Sequence, residues 1–288
     1  MSAKFGPAGN SDAFSAVHKS SLAAPQWIAE QGLDCYEYQC GKGVHVGEDT
    51  ARRVGENARK HGISLSLHAP YFINLANPDP DSLQKTIGYI TSACLVASQM
   101  GASRVVIHSG ALMKRTRREA LDTALRSLRE VIRTCDGQGF GHIALCPETM
   151  GKINQLGDLE EVLELCTLDE RLIPCIDFGH LYARSLGADD GAEAFGLMLD
   201  RVESVLGQSR ASVFQSHFSH LQFTPGGGEK CHRTFDDDDG YGPDWAPLAR
   251  AIARRGWSPT FICESAGTQA KDALTMKRIY QEVLTAQG

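Results

Sequence analysis

The sequence predicts an α/β protein, a single-domain (β/α)8 barrel over residues 1–288, and three observations carry that expectation. Short runs of β-type residues alternate with longer segments of helical period. Several of the longer segments end in a glycine just before the next short run. Acids and imidazoles recur where the short runs stop. Eight alternations imply parallel strands joined by helical crossovers, and closing eight such units gives a barrel.

The eight runs read as strands are "AKFGPA" from residue 3, "DCYEYQC" from 34, "ISLSLHAP" from 63 and "SRVVIHSG" from 103, then "HIALCPET" from 142, "RLIPCIDFGH" from 171, "HFSHLQF" from 217 and "TFICESAG" from 260. Between them lie helical segments such as "DTARRVGENARKHG", "SLQKTIGYITSACLVASQMG", "LDTALRSLREVIRTCDG" and "PDWAPLARAIARRG". Their closing glycines suit a left-handed C-cap, where a side chain would be strained. No interdomain linker interrupts the pattern, and "GGGEK" at 226–230 reads as a flexible loop over the barrel mouth.

Composition narrows the function classes. A hydrophobic content of 42% over 288 residues supports a substantial core. The net charge of -6 excludes a generally basic nucleic-acid coat protein, while leaving room for a local cationic cleft or one made by metal ions. Nine cysteines without a CxxC pair point to reduced, buried thiols and not to a disulfide framework. "MSAKFGPAGNSDAF" has no basic region leading into an apolar stretch, and no window approaches 18 uninterrupted apolar residues, so the expectation is a cytoplasmic protein with no membrane partner. A monomer is assumed.

The chemistry sits at the strand ends. "ISLSL" runs into His68, "RVVI" into His108, "IALCP" into Glu148, "LIPCI" into Asp177 and "TFIC" into Glu264, with His217 opening the seventh run and His180 three residues beyond Asp177. In a barrel these ends converge on one mouth. A lone histidine after a strand is ordinarily a hydrogen-bonded rim residue, but repetition on strand after strand makes coincidence a poor account. Carboxylates and imidazoles gathered in one place need something cationic between them, and a divalent metal supplies it. His18, His45, His61 and His142 fall in helices or loop edges and read as structural. "GQGFG" at 137–141 precedes a strand, against a dinucleotide site, and no Walker A motif is present. The run "DDDD" at 236–239 reads as a solvated loop.

These residues resemble the endonuclease IV branch of the xylose-isomerase-like barrels, from "ISLSLHAPYFINLANPD" through "RVVIHSGA", "LCPETMGKINQLGDLEEV", "CIDFGHLYARS" and "HFSHLQFTPGGGEKCHRT" to "FICESAG". The resemblance implies cleavage of DNA at abasic sites by a zinc cluster of two or three ions, with manganese as a substitute. It places His68 and His108 on a first metal, Glu148 between first and second, Asp177, His217 and Glu264 on the second, and His180 with His232 on the third. Tyr71 and the neighbouring Phe72 would hold distorted duplex DNA, with Lys42 an imperfect stand-in for other DNA-reading residues. Where the family carries an aspartate two residues before the histidine matching His232, this chain has Lys230. Either Glu229 or one of Asp236 to Asp239 takes over there, or the third metal is weakened and Lys230 meets a phosphate.

On that resemblance, Glu148 and Lys230 are the expected catalytic residues. The phosphodiester 5′ to an abasic nucleotide would be hydrolysed by water activated between divalent cations, as a step of base excision repair. An abasic nucleotide lacks stacking and pairing, so extruding it costs less than flipping a normal base. Two alternatives stay open. A single-metal sugar isomerase or epimerase of the same superfamily would use the quartet Glu148, Asp177, His217 and Glu264 alone, and an inactive DNA- or metal-binding relative would keep the ligands without turnover.

Overall fold

The computed structural model describes residues 2–287. Eight parallel strands form the barrel: β1 (Lys4–Pro7), β2 (Cys35–Gln39), β3 (Ser64–His68), β4 (Arg104–His108), β5 (Ala144–Glu148), β6 (Cys175–Asp177), β7 (Gln215–Phe218) and β10 (Thr260–Cys263). They are hydrogen-bonded in the order β1-β10-β7-β6-β5-β4-β3-β2. The ring closes between β1 and β2 through Gly9 N donating to Glu37 O at 2.9 Å and Asp34 N to Phe5 O at 2.8 Å. The chain folds as the TIM barrel that the alternation predicts.

The helices are α1 (Asp12–Val17), α2 (Ala24–Glu30), α3 (Glu48–His61), α4 (Pro80–Met100), α5 (Arg117–Gly137), α6 (Leu159–Cys166), α7 (Phe178–Arg184), α8 (Gly191–Leu206), α9 (Gln208–Ala211), α10 (Trp245–Arg255) and α11 (Gln269–Gln287). Their ends follow the local chemistry. Asp79 caps α4 ahead of Pro80, and capping boxes pair Thr116 with Glu119 at α5 and Asp158 with Glu161 at α6. Gly62, Gly101 and Gly256 end α3, α4 and α10 in the left-handed conformation. At α5 the left-handed residue is Gly139 and not the expected Gly137, which stays helical. Among the described residues no helix is long and apolar enough to cross a membrane.

The core lies between barrel and helices. Phe5 of β1 and Phe261 of β10 stack at 5.6 Å, and Trp245 of α10 and Tyr280 of α11 close over them. Burying each such ring stabilises the fold by about 2–3 kcal/mol. All cysteines are unpaired thiols and eight of the nine are buried, as their scatter through apolar runs suggests.

Two sequence expectations need correction. The seventh strand starts at Gln215 and stops at Phe218, so "HFSHLQF" joins its end to the first strand of a hairpin. Gln215 and Ser216 look polar enough to precede a strand, yet both are fully buried and hydrogen-bonded, Gln215 to Arg104 and Ser216 to the Ile176 carbonyl of β6. His217 therefore sits near the strand's C-terminal end. "GGGEK" is also not a free loop: β8 (His220–Thr224) and β9 (Gly228–Arg233) pair antiparallel around it.

Candidate metal centre

Parallel register places donors side by side at the barrel mouth. His108 of β4 stands opposite Glu148 of β5, and Asp177 of β6 opposite His217 of β7. Glu148 is the centre of the group. Its Oε2 lies 3.2 Å from both His68 Nε2 and His108 Nε2, and its Oε1 lies 2.9 Å from His217 Nδ1. Glu148, Asp177, His217 and Glu264 bring ligand atoms within 4.8 Å of one another; so do His68, Glu148 and His217, and so do His180, His232 and Glu264. The barrel mouth thus gathers all eight residues singled out as ligands from the sequence, His180 from α7 and Glu264 from just past β10, with His108 joining through Glu148.

Hydrogen bonds aim the donors. His68 Nδ1 faces the Ala69 carbonyl at 2.7 Å and His180 Nδ1 the Thr149 carbonyl at 2.8 Å. A carbonyl only accepts, so each Nδ1 carries a proton and each Nε2 is the nitrogen left to meet a cation. Asp177 also caps α7: its Oδ1 accepts from His180 N at 2.7 Å. Its Oδ2 is buried and accepts no hydrogen bond, although His180 Nδ1 lies 3.3 Å away, because that N–H is already given to Thr149. An unpaired buried carboxylate oxygen is costly unless a cation meets it. The donor set fits a divalent metal held by nitrogen and oxygen ligands.

The electrostatics agree. Burial alone would raise the Glu148 carboxyl, but His217, His108 and His68 hold it well below the ordinary range. Burial raises Asp177. Burial would lower His217, yet Cys175, Glu264, Glu37 and Glu148 push it well up. For His180 burial is likewise outweighed, here by Asp177, Glu229 and Glu148, and its pKa rises to about 9. At neutral pH the metal-free chain therefore holds a proton on His180 that a cation must displace. Zinc or manganese affinity is expected to climb by about tenfold per pH unit for each proton released until pH reaches about 9, and to fall on acidification. Titration calorimetry in buffers of different ionisation enthalpy measures that release; affinity independent of pH would contradict it.

A cavity of about 450 Å³ opens over the centre, lined by His68, His108, Glu148, His180, His232 and Glu264 together with Tyr71, Met150, Lys152, Gln155 and Glu229. Lys230 is absent from this lining and exposed, a correction to its expected catalytic place. The reason is a register shift between Gln222 and Phe223, which pairs Cys231 with Gln222 and Glu229 with Phe223 and leaves Lys230 without a partner across the hairpin. Glu229 faces in instead, its Oε2 3.6 Å from His180 Nε2. Gly151 makes the room: a Cβ there would come within 2.7 Å of Glu229 Cβ. Asp236 pairs with Lys271, and Asp237 and Asp239 with Arg233, so these acids are spent on the surface.

Tyr71 stacks on His108 at 5.8 Å and edges His68 at 5.5 Å. It rests on Gly41, where a Cβ would lie 2.2 Å from its ring. Phe72 lies outside the cavity lining, half exposed and packed edge-on to Tyr89 at 4.7 Å. Lys42 lines an adjoining groove of about 560 Å³ that shares Tyr71 with the metal cavity. The sequence reading named Glu229 among the acids that could replace the family aspartate, and missed Glu37 and Lys152. Lys152, four residues past Glu148, is the one lysine or arginine among the described residues that line the cavity.

A family model described as xylose isomerase-like TIM barrel matches residues 25–282. An uncharacterised protein of Methanocaldococcus jannaschii is 29% identical over 256 residues, 89% of this chain and 90% of the relative. A probable endonuclease 4 of Thermotoga maritima is 24% identical over 250 residues, 81% of each chain. Among solved structures, a D-tagatose 3-epimerase-like protein superposes with a TM-score of 0.73 at 19% identity over 99% of each chain. Endonuclease IV from Thermus thermophilus does so with a TM-score of 0.64 at 17% identity, over 98% of this chain and 99% of that one. These structural likenesses establish the fold.

Proposed function

Since the chain belongs to the family of xylose isomerase-like TIM barrels, we propose that it is a metal-dependent phosphodiesterase that hydrolyses DNA on the 5′ side of abasic sites, as in base excision repair. One observation carries this reading: beyond the quartet that a single cation needs, four further histidines, His68, His108, His180 and His232, line the same cavity. A single cation held by that quartet does not need them as ligands. A cluster of two or three cations does.

Divalent cations bound there would neutralise phosphodiester charge and lower the pKa of a bound water. The chain's own residues supply the rest. His68 and His108 flank one oxygen of Glu148 and His217 the other, so these four residues would together hold the first cations, with Glu148 shared among them. His180, His232, Glu264 and Glu229 would hold a third. Lys152 would meet a phosphate oxygen, the part assigned to Lys230 from the sequence. Tyr71, held against Gly41, would lie along the extruded sugar, while Phe72 and Tyr89 offer an exposed apolar edge to the opened stack. Four carboxylates line or adjoin the cavity in a chain of net charge -6, so a polyanion binds well only after cations load.

If Glu229 holds the third cation, Glu229→Gln lowers the bound metal by one ion per chain as measured by mass spectrometry of metal content, whereas Lys230→Ala leaves it unchanged. Equal metal content in all three proteins would contradict that assignment.

The quartet Glu148, Asp177, His217 and Glu264 favours one second reading, a single-metal epimerase acting on keto sugars, as the fold of the D-tagatose 3-epimerase-like neighbour allows. A substrate panel separates them: zinc- or manganese-loaded protein is offered a duplex with one abasic analogue, the undamaged duplex and a set of ketohexoses in deuterated water. Incision of the abasic duplex alone supports the nuclease; deuterium entering a ketohexose without incision supports the epimerase.

A further inference from the structure

Below the metal centre one side of the barrel lumen is polar, opposite the apolar Val106, Cys146 and Cys175, where a barrel of this kind is ordinarily packed with branched apolar side chains. Glu37, from the middle of β2, is fully buried there. Its Oε2 accepts from Ser66 Oγ at 2.9 Å and from Gln215 Nε2 at 3.0 Å. Its Oε1 accepts from Gln39 Nε2 at 3.2 Å and lies 2.9 Å from His217 Nε2. Gln215 Oε1 in turn accepts from Arg104 Nη1 at 3.0 Å, and Arg104 Nη2 donates to the Val213 carbonyl at 2.7 Å. A chain of polar contacts thus runs from Arg104, at the start of β4, through Gln215 and Glu37 to a residue of the metal centre. For stability alone an apolar layer would serve as well or better, because buried ionic groups rarely repay their desolvation.

We propose that Glu37 is a positioning residue that fixes His217 with its proton on Nε2 and leaves Nδ1 as the metal-binding atom, and that Arg104 and Gln215 hold the Glu37 carboxylate in place for this purpose. An imidazole binds a cation only through the nitrogen that lacks a proton, and an acceptor beside the other nitrogen decides which that is. An ionised carboxylate can only accept, so both nitrogens of the metal-free ring face acceptors, Nδ1 in a hydrogen bond with Glu148 Oε1 and Nε2 beside Glu37 Oε1 without an aligned hydrogen bond; a cation among Glu148, Asp177 and Glu264 takes the place of the Nδ1 proton and leaves Nε2 protonated toward Glu37. His217 Nδ1 then points toward Glu148 Oε1 at 2.9 Å and Glu264 Oε1 at 3.5 Å. His217 differs in both respects from His68 and His180, which keep the proton on Nδ1 and give it to neutral carbonyls. A carboxylate partner also pushes negative charge onto the ring and makes Nδ1 the stronger donor.

The inference rests on the metal-centre part of the proposed function and not on the identity of the substrate. Long-range proton–nitrogen spectra of the zinc-loaded, full-length protein read the His217 tautomer directly, with no substitution required. The expected signature is a protonated Nε2 and a metal-bound Nδ1; a proton on Nδ1 would overturn the proposal. Zinc titration of Glu37→Leu is expected to show affinity reduced by about 10–100-fold. Glu37→Gln, whose amide oxygen can still accept, is expected to keep the tautomer and recover part of the loss. A folded Glu37→Leu protein that binds zinc as tightly as the parent would equally overturn it. If tautomer and affinities behave as stated while abasic DNA is left intact, the nuclease reading fails and the role of Glu37 stands.

Discussion

Glu148→Gln is expected to lower incision of an abasic duplex by about a thousandfold or more while leaving the barrel folded, the magnitude typical of removing one charge-stabilising group at a reacting centre and here compounded by metal loss. Glu148 is fully buried among three imidazoles, with His68 and His108 on one oxygen and His217 on the other. The amide has the same shape but offers one acceptor and one donor edge, so it can no longer face cations or imidazole nitrogens on both sides. The loss should appear in kcat even at saturating DNA, because the missing contact is to the reacting centre and not to the flanking duplex. Single-turnover incision at saturating metal, with a melting curve to verify folding, measures it. Incision within a few-fold of the parent would remove Glu148 from the mechanism.

Stripping the metal is expected to lower the melting temperature by about 5–12 °C and abolish incision, with both restored by zinc or manganese. A cation present at about 100 to 1,000 times its Kd contributes about 2.7–4.1 kcal/mol to stability, and a chain of this size shifts by about 2–3 °C per kcal/mol. The structure explains why the loss is felt in the fold: Asp177 Oδ2 is buried with no hydrogen bond, and Glu148, Asp177 and Glu37 share one end of the lumen. Glu148 and Glu37 are held ionised in the metal-free chain by protonated histidines, His217 foremost, whereas burial raises Asp177. Raising the pH removes those protons, so the metal-free protein should weaken further as the solution turns alkaline through the elevated histidine values, His180 near 9 among them. Scanning calorimetry of stripped and reloaded protein tests this; identical melting curves would contradict a cation at Asp177.

How much of this was legible in the sequence depends on what fixes each residue. His68, His108, Glu148, Asp177 and Glu264 each follow an apolar run, and a barrel converts that one-dimensional cue into a shared mouth, so periodicity sufficed. His217 was found as a residue but misplaced in its strand, because Gln215 and Ser216 are polar and their partners come from other strands: Arg104 lies 111 residues from Gln215. Glu37 was overlooked for a related reason. In "CYEYQC" a glutamate at an alternate position looks like a solvent-facing residue, and only the barrel's closure puts Ser66, Gln215 and His217 around it. That Glu229 and not Lys230 faces the cavity follows from a one-residue bulge in a hairpin; the acid beside Lys230 made Glu229 a candidate, but the bulge that decides between the two leaves no mark in the residue types. Lys152 carried a positional signal that was available, since it follows a strand-end glutamate closely enough to share the mouth.

The most direct test of the central claim is the chemistry of the cut. A duplex with one abasic analogue is incubated with zinc-loaded protein in oxygen-18 water, and both product ends are weighed by mass spectrometry. Hydrolysis at the metal centre predicts a 3′ hydroxyl on the upstream strand and one heavy oxygen on the 5′ phosphate that carries the abasic sugar. An intact duplex under conditions where the metal centre is fully loaded, or an unlabelled phosphate with an unsaturated 3′ sugar end, would contradict the account.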